Sequence, residues 1–523
     1  MAGTLQARGQ AASDAGPTAG VAGGAGGRIL LVLPFDNRTG QPSLAWVREA
    51  APEILGSRFA SAGFAPMSRA DRLYALDHLG LPQGFQPSRA SSLKLAQTLD
   101  ADDIVVGSYV TDGTSIVAEA QLVDVQRLHM SLPVSARGEM RNLIAVFDSL
   151  AWKLTRQMDP SFSVAEETFI AASKDLRLDA FEQYIRGISE PDQQERLRHL
   201  KQAVLLSPEF SQAWMALGRE DYSSQQYEQA AASFAKVGVN DPDALEAGFY
   251  RGLALLFFGD YTKAEEAFGG VARILPLAEV LNNQAVAVSR RGRDGIALFR
   301  QAVAADTSAA DYHFNLAVSL KRHGDSAEAL AEMAQCLRLR PNDSEAQGLE
   351  KAWKAPPTGP GAEKKVDPLE RIARNFGAVA FRQAAQMLDQ VAASRLAALT
   401  PRQQSQKLAG QAKDYLDRGL LLEAERLYQS AVAADGTVAA THAGLAEVRE
   451  RTGDAAAARK EARMALDLDP TADAFLVLAR LDLAGGQSAE ARSEAAKALL
   501  LDPQNHVAQD LTRQIDAKEA QKR

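Results

Sequence analysis

Asn282, Asn283 and Asn315 are the residues whose type and spacing offer the clearest chemistry in this chain. A side-chain amide carries two donors and an acceptor, so it pairs with the C=O and N–H of a backbone and ignores the side chains beside them. Asn283 and Asn315 fall at the same sixth position of consecutive sequence repeats, and Asn282 stands one residue earlier. Amides at repeating positions suit an extended backbone running past each of them. Hydrogen bonding within a loop or between helices is the competing use. Arg219, Arg290, Lys321 and Arg322 fall near concave or groove-edge positions of the same surface. There they suit an acidic or carboxylate-ended peptide. Cations also gather at helix C-termini for the dipole alone, and both readings stay open at this stage.

Residues fit for bond-making chemistry do not assemble. The histidines at 78, 129, 199, 313, 323, 442 and 506 are scattered, with no His-Glu-x-x-His and no metal-ligand spacing. No nucleophile elbow, phosphate loop or kinase signature occurs. Glu265 and Glu266 read as solvated carboxylates on an outward helix face. The single cysteine, Cys336, excludes an internal disulfide and a multi-cysteine metal site, and it stands where a small packed residue is wanted. The expectation is a chain without catalysis, metal or cofactor. A net charge of −8 with no long basic run argues against nucleic acid. No apolar run reaches the 18 or so residues of a membrane span.

The elements that position the asparagines come from a pattern recurring about every 34 residues. Trp214, Leu217 and Gly218 precede Ala230, Phe234 and Pro242. Gly252 precedes Ala264, Phe268 and Pro276 at the same offsets, and Leu316, Ala317 and Gly324 lead to Ala329, Met333 and Pro341. This pattern resembles the tetratricopeptide repeat, a helical hairpin that stacks into a solenoid. The resemblance implies protein binding on a concave face lined by the first helix of each hairpin. It also implies a role for the asparagines, since ladders of this kind hold extended peptides in some members. The Lys, Asn and Arg set of the chaperone-binding members is not found. We therefore expect a mostly α chain with the solenoid in two blocks. Block one runs over 177–354, about five repeats and a cap helix. A Pro/Gly linker covers 355–366 and a long helix 367–400, the latter from apolar spacing at Leu369, Ile372, Phe376 and Val379. Block two takes 405–505 with three repeats, and 506–523 caps it.

A small α/β domain over 28–160 precedes the repeats. Residues 1–27 are Gly- and Ala-rich and read as a disordered arm without a signal peptide's h-region. Ile29–Phe35 reads as a buried strand, 44–62 and 91–99 as helices, 104–110 and 115–125 as a hairpin, 132–136 as an edge strand and 142–157 as a closing helix. Asp36 and Asn37 suit a turn, with ligand contact at a strand end as the alternative. Leu33-Pro-Phe-Asp-Asn37, Trp46, Ala101-Asp102, Val105-Val-Gly-Ser-Tyr109 and Ala120-Gln-Leu-Val-Asp124 resemble the TolB amino-terminal-domain-like family, also seen in FlgO-type bacterial envelope proteins. That resemblance implies no known active site, a neighbour of repeats or regulatory modules, and a lean toward the cell envelope. The lack of an export signal leans back to the cytoplasm. Two functions follow as expectations. One is a non-enzymatic scaffold holding an extended partner segment in the groove. The other is a regulatory subunit sensing through the front domain.

Overall fold

The computed structural model describes residues 27–82, 88–171, 173, 175–239, 241–355, 368–376 and 392–522. The 1–27 arm and the 355–366 linker thus fall almost wholly outside the described residues. The chain divides into two compact units. One comprises Met1–Lys174, Leu420–Gln429 and Leu445–Lys460, and the other Asp175–Gly419, Ser430–Gly444 and Glu461–Arg523.

The front domain begins with β1 (Ile29–Val32), β2 (Asp36–Asn37), α1 (Val47–Ser61), β3 (Ala65–Pro66), α2 (Arg69–His78) and α3 (Arg89–Thr98). It continues with β4 (Asp103–Thr111), β5 (Ser115–Asp124), β6 (His129–Met130), β7 (Val134–Glu139) and α4 (Leu143–Met158). The strand order is β3-β1-β4-β5-β6, with β2 on β4 and β7 on β5. Parallel pairing of β1 with β3 and β4 puts helices on the sheet and buries Leu30, Leu31 and Val32, which explains their unbroken apolar run. Asp112 turns the β4–β5 hairpin by accepting from the N–H groups of Thr114 and Ser115. Asn37 likewise spends its side chain locally, its oxygen accepting from Thr39 N–H at 3.0 Å and its amide donating to Gln41 O at 3.1 Å. Turn chemistry accounts for it.

Within this unit a helix from the second block packs on the front domain. Glu425, fully buried, accepts from Ala165 N–H at 3.1 Å and pairs with Arg449 at 2.6 Å. Arg426 donates to Ser61 O at 3.0 Å. The sequence boundary at 405 therefore does not coincide with the compact units.

After α5 (Glu166–Ala171) the first block stacks hairpins in order. They are α6 (Leu178–Ser189) with α7 (Gln193–Leu206), α8 (Ser211–Ser223) with α9 (Tyr227–Phe234), and α10 (Ala244–Phe258) with α11 (Tyr261–Ile274). Then come α12 (Ala278–Arg290) with α13 (Ile296–Ala305), α14 (Ala310–His323) with α15 (Ser326–Leu339), and the closing α16 (Ser344–Lys354). The repeat residues act by close approach. A Cβ on Gly218 would lie 2.7 Å from the Phe234 ring, and one on Gly252 would lie 2.7 Å from Phe268. Only hydrogen fits there. Gly259 and Gly324 end α10 and α14 in the left-handed region, at φ 95° and 97°. Cys336 is buried with Phe314, Met333 and Leu349, and burial pushes its thiol up to about 11, so packing is its role.

The second block supplies helices Pro401–Asp417, Leu421–Ala434, Ala439–Thr452, Ala455–Leu468, Ala472–Ala484 and Ser488–Leu501, then His506–Lys522. Among the described residues no helix is long and apolar enough to cross a membrane.

The long helix expected over 367–400 is not what its first part forms. Pro368–Phe376 is non-helical, residues 377–391 lie outside the described set, and helix is present at 392–397. The physical reason is competition for the backbone: the peptide groups of Arg371 and Ala373 bond to asparagine side chains instead of to the turn before them. The spacing of Ile372 and Phe376 is real, but both pack onto the core of the first block, while Leu369 is 72% exposed.

Candidate functional site

Helices α12 and α14 are the first helices of consecutive hairpins, so residues at matching positions face the same groove. Asn282, Asn283 and Asn315 lie there, all fully buried. Asn315 donates to Arg371 O at 2.7 Å and accepts from Arg371 N–H at 2.7 Å. Asn283 does the same to Ala373, at 2.8 Å and 2.9 Å. Asn282 adds a donation to Arg371 O at 3.1 Å, and its oxygen accepts from Asn315 at 2.8 Å. Both peptide polar groups of residues 371 and 373 point to one side, the alternation of an extended strand. The strap Pro368–Phe376 thus lies in the groove as a strand lies on a sheet edge, with amides in place of the neighbouring strand.

Side chains of the strap enter sockets to either side. Glu370 is held by Ser289, whose hydroxyl donates at 2.5 Å, by Arg322, and by Arg290 at 3.7 Å. Arg322 also donates to Pro368 O at 2.8 Å. Ser289, Arg290 and Arg322 each stand seven residues after one of the three asparagines, two helical turns along the same stripe.

Arg371 points the other way. Its guanidinium meets Asp343 at 2.5 and 2.9 Å, Asp311 at 2.9 Å and Glu345 at 2.9 Å, and lies 3.6 Å from the Phe314 ring centroid. Burial opposes its charge, but the bonds to Asp343, Glu345 and Asp311 outweigh it and raise its pKa. In return the hydrogen bond from Arg371 holds the Asp343 carboxyl below its ordinary value. Asp311, which burial alone would raise, is also lowered, by bonds from Arg340 and Arg371. Downstream, Phe376 meets Phe249 at 5.5 Å between centroids, and the Arg374 guanidinium lies 5.6 Å from the Phe257 ring. A cavity of about 620 Å³ adjoins this end, lined by Arg219, Tyr222, Tyr227, Tyr250, Phe257 and Arg374 among others.

The groove therefore brings together Asn282, Asn283, Asn315, Arg290 and Arg322. Arg219 is instead paired with Glu246 at 2.7 Å, at the cavity. Lys321 donates to Ser326 at 3.0 Å and lies 6.0 Å from Trp353, away from the strap. Sequence reasoning missed the acidic half of the site. One signal was present: Asp311 sits four residues before Asn315, hence on its helix face. Among the described residues no group of three or more His, Cys, Asp or Glu is arranged to hold a metal.

A family model, tetratricopeptide repeat, matches residues 215–278, 285–344 and 410–473. These segments are tetratricopeptide repeats. Their fold is a protein–protein interaction scaffold, and the small strand-containing domain precedes it. Among solved structures, the chain is similar to "YrrB: a TPR protein with an unusual peptide-binding site", at 16% identity and TM-score 0.31, over 35% of this chain and 96% of that one. It is similar to MamA from Desulfovibrio magneticus RS-1, at 22% identity and TM-score 0.29, over 32% of this chain and 99% of that one. It is similar also to the LpoB C-terminal domain from Escherichia coli, at 23% identity and TM-score 0.20, over 23% and 88%. No curated protein matches the sequence.

Proposed function

We propose that the protein is a non-enzymatic interaction scaffold whose first repeat block grips an extended segment of a partner protein by its backbone. One observation carries this reading: the two-way amide bridges from Asn315 to residue 371 and from Asn283 to residue 373 are fitted to any extended backbone. In this structure the chain's own strap occupies that place. A partner segment enters by taking over the same bridges, in the manner of β-augmentation. The test uses the full chain with 368–376 replaced by Gly and Ser, and a labelled synthetic peptide of residues 366–378. Binding by fluorescence anisotropy is expected, with loss in the Asn283→Ala, Asn315→Ala double variant at unchanged helicity. Equal binding by both proteins would overturn the reading.

The front domain keeps its TolB-like reading, supported by parallel β1 and β4 followed by the β4–β5 hairpin. The buried Glu425 contacts favour a role as a mount for residues 420–429 and 445–460 over that of a regulatory sensor.

A further inference from the structure

The amide bridges read backbone only, so they leave open which segments the groove accepts. We infer that the groove selects partner segments bearing a carboxylate followed directly by an arginine and an aliphatic residue, with the arginine seated among Asp311, Asp343 and Glu345 on the face of Phe314. This deepens the groove reading above and rests on it.

The argument is one of charge placement. The two sockets have opposite sign and lie on adjacent strap residues, because successive side chains of an extended segment point to opposite sides. Arg290 and Arg322 with Ser289 take the carboxylate. Asp311, Asp343 and Glu345 take the guanidinium. A planar fork answered by Asp343 through both oxygens, with further acceptors and an aromatic face beneath, is a site for arginine that lysine fills poorly. An empty socket would hold three carboxylates close together, with Arg340, 2.7 Å from Asp311 and 3.7 Å from Asp343, offsetting only part of their repulsion. A segment lacking arginine therefore pays that repulsion, and a segment of reversed order, Arg before Glu, meets like charge at both places. Ile372 then packs against the core of the block. Arginine recognition thus comes from the acidic residues, and the chain's own Glu370-Arg371-Ile372 is the template for the partner's motif.

The experiment titrates peptides of the 366–378 sequence into the full chain carrying Arg371→Glu, which repels the strap from its own socket and leaves the groove unaltered. The native peptide should bind, and its Arg371→Ala form should bind about tenfold weaker or worse, as loss of charge-assisted bonds implies. The Arg371→Lys peptide should fall between them. Asp343→Asn in the protein should shrink the preference. If the native and Arg371→Ala peptides bind equally, the selectivity is overturned while the backbone grip stands. If no peptide binds, the grip itself fails. Should Arg371→Glu unfold the block, the same peptides are read on the chain with the Gly/Ser strap. Ultracentrifugation of the unaltered chain covers the remaining occupant: a dimer that Arg371→Glu turns to monomer would mean that a second copy's strap fills the groove, and would overturn the partner assignment.

Discussion

The side chain of Asn283 exchanges two hydrogen bonds with the peptide groups of Ala373, 90 residues further along the chain. Asn315 makes the same exchange with Arg371, 56 residues away. Each asparagine is buried, so its amide has no water to fall back on. Asn283→Ala leaves the N–H and C=O of Ala373 without these partners, and Asn315→Ala leaves the N–H of Arg371 without one while its C=O keeps Asn282, at about 1–3 kcal/mol per orphaned group. Hydrogen exchange at residues 371 and 373 should quicken in both variants while α10 and α11 keep their protection. Unchanged exchange would show that the bridges do not hold the strap.

The strap should loosen in acid. Asp343 and Asp311 have folded pKa values below the ordinary 3.8. A lowered carboxyl contributes stability that is fully present above 3.8 and is lost as the pH falls through its lowered value. Exchange at 371–376 should therefore rise below about pH 4, and Asp343→Asn should remove much of that dependence.

His442 gives a dependence of opposite sign. Its Nδ1 lies 2.7 Å from Glu461 and its Nε2 lies 3.1 Å from Gly436 O, so the doubly protonated ring serves both acceptors. The hydrogen bond to Glu461 raises its pKa above the ordinary 6.5, against burial. Its contribution is complete below 6.5 and fades as pH rises through the folded value. Melting temperatures from pH 6 to 9 should decline less in His442→Gln than in the unaltered chain. His313 makes the equivalent contacts in block one, to Glu332 at 2.6 Å and Thr307 O at 3.2 Å, so the pairing belongs to the repeat and not to a catalytic site.

Glycine substitutions should separate by position. Gly218→Ala or Gly252→Ala drives a methyl group into a buried phenylalanine ring and should cost about 1–3 kcal/mol. Gly348→Ala, in α16 with nothing within 4 Å of the new Cβ, should stabilise by up to about 1 kcal/mol. Denaturant midpoints of the three variants give the comparison directly.

The groove's asparagines and two of its arginines were legible because the repeat fixes helical phase: once Gly252 and Phe268 set the register, Asn283 and Asn315 must face one way. The strap was not legible. Ile372 and Phe376 are spaced four apart, which suits a helix and equally a strap that drops two anchors into a groove. Only the distant asparagines decide, and they are 56 to 90 residues away. Asp311, Asp343 and Glu345 resemble ordinary helix-start acids until Arg371 arrives among them. In the front domain, helix α2 was passed over because only Arg72, Ala75 and Leu76 of its ten residues are buried, leaving little apolar periodicity to read.

One consequence of the strap is mechanical. In a solenoid each repeat touches only its neighbours, so the array bends like a spring whose compliance is the sum of its local joints. The strap touches α10 through Phe249, α12 and α14 through the asparagines, and the start of α16 through Asp343 and Glu345. It is a chord drawn across the arc. Nine residues outside any repeat thereby tie these four helices to one another, and whatever lifts them from the groove leaves the helices joined through their neighbours alone.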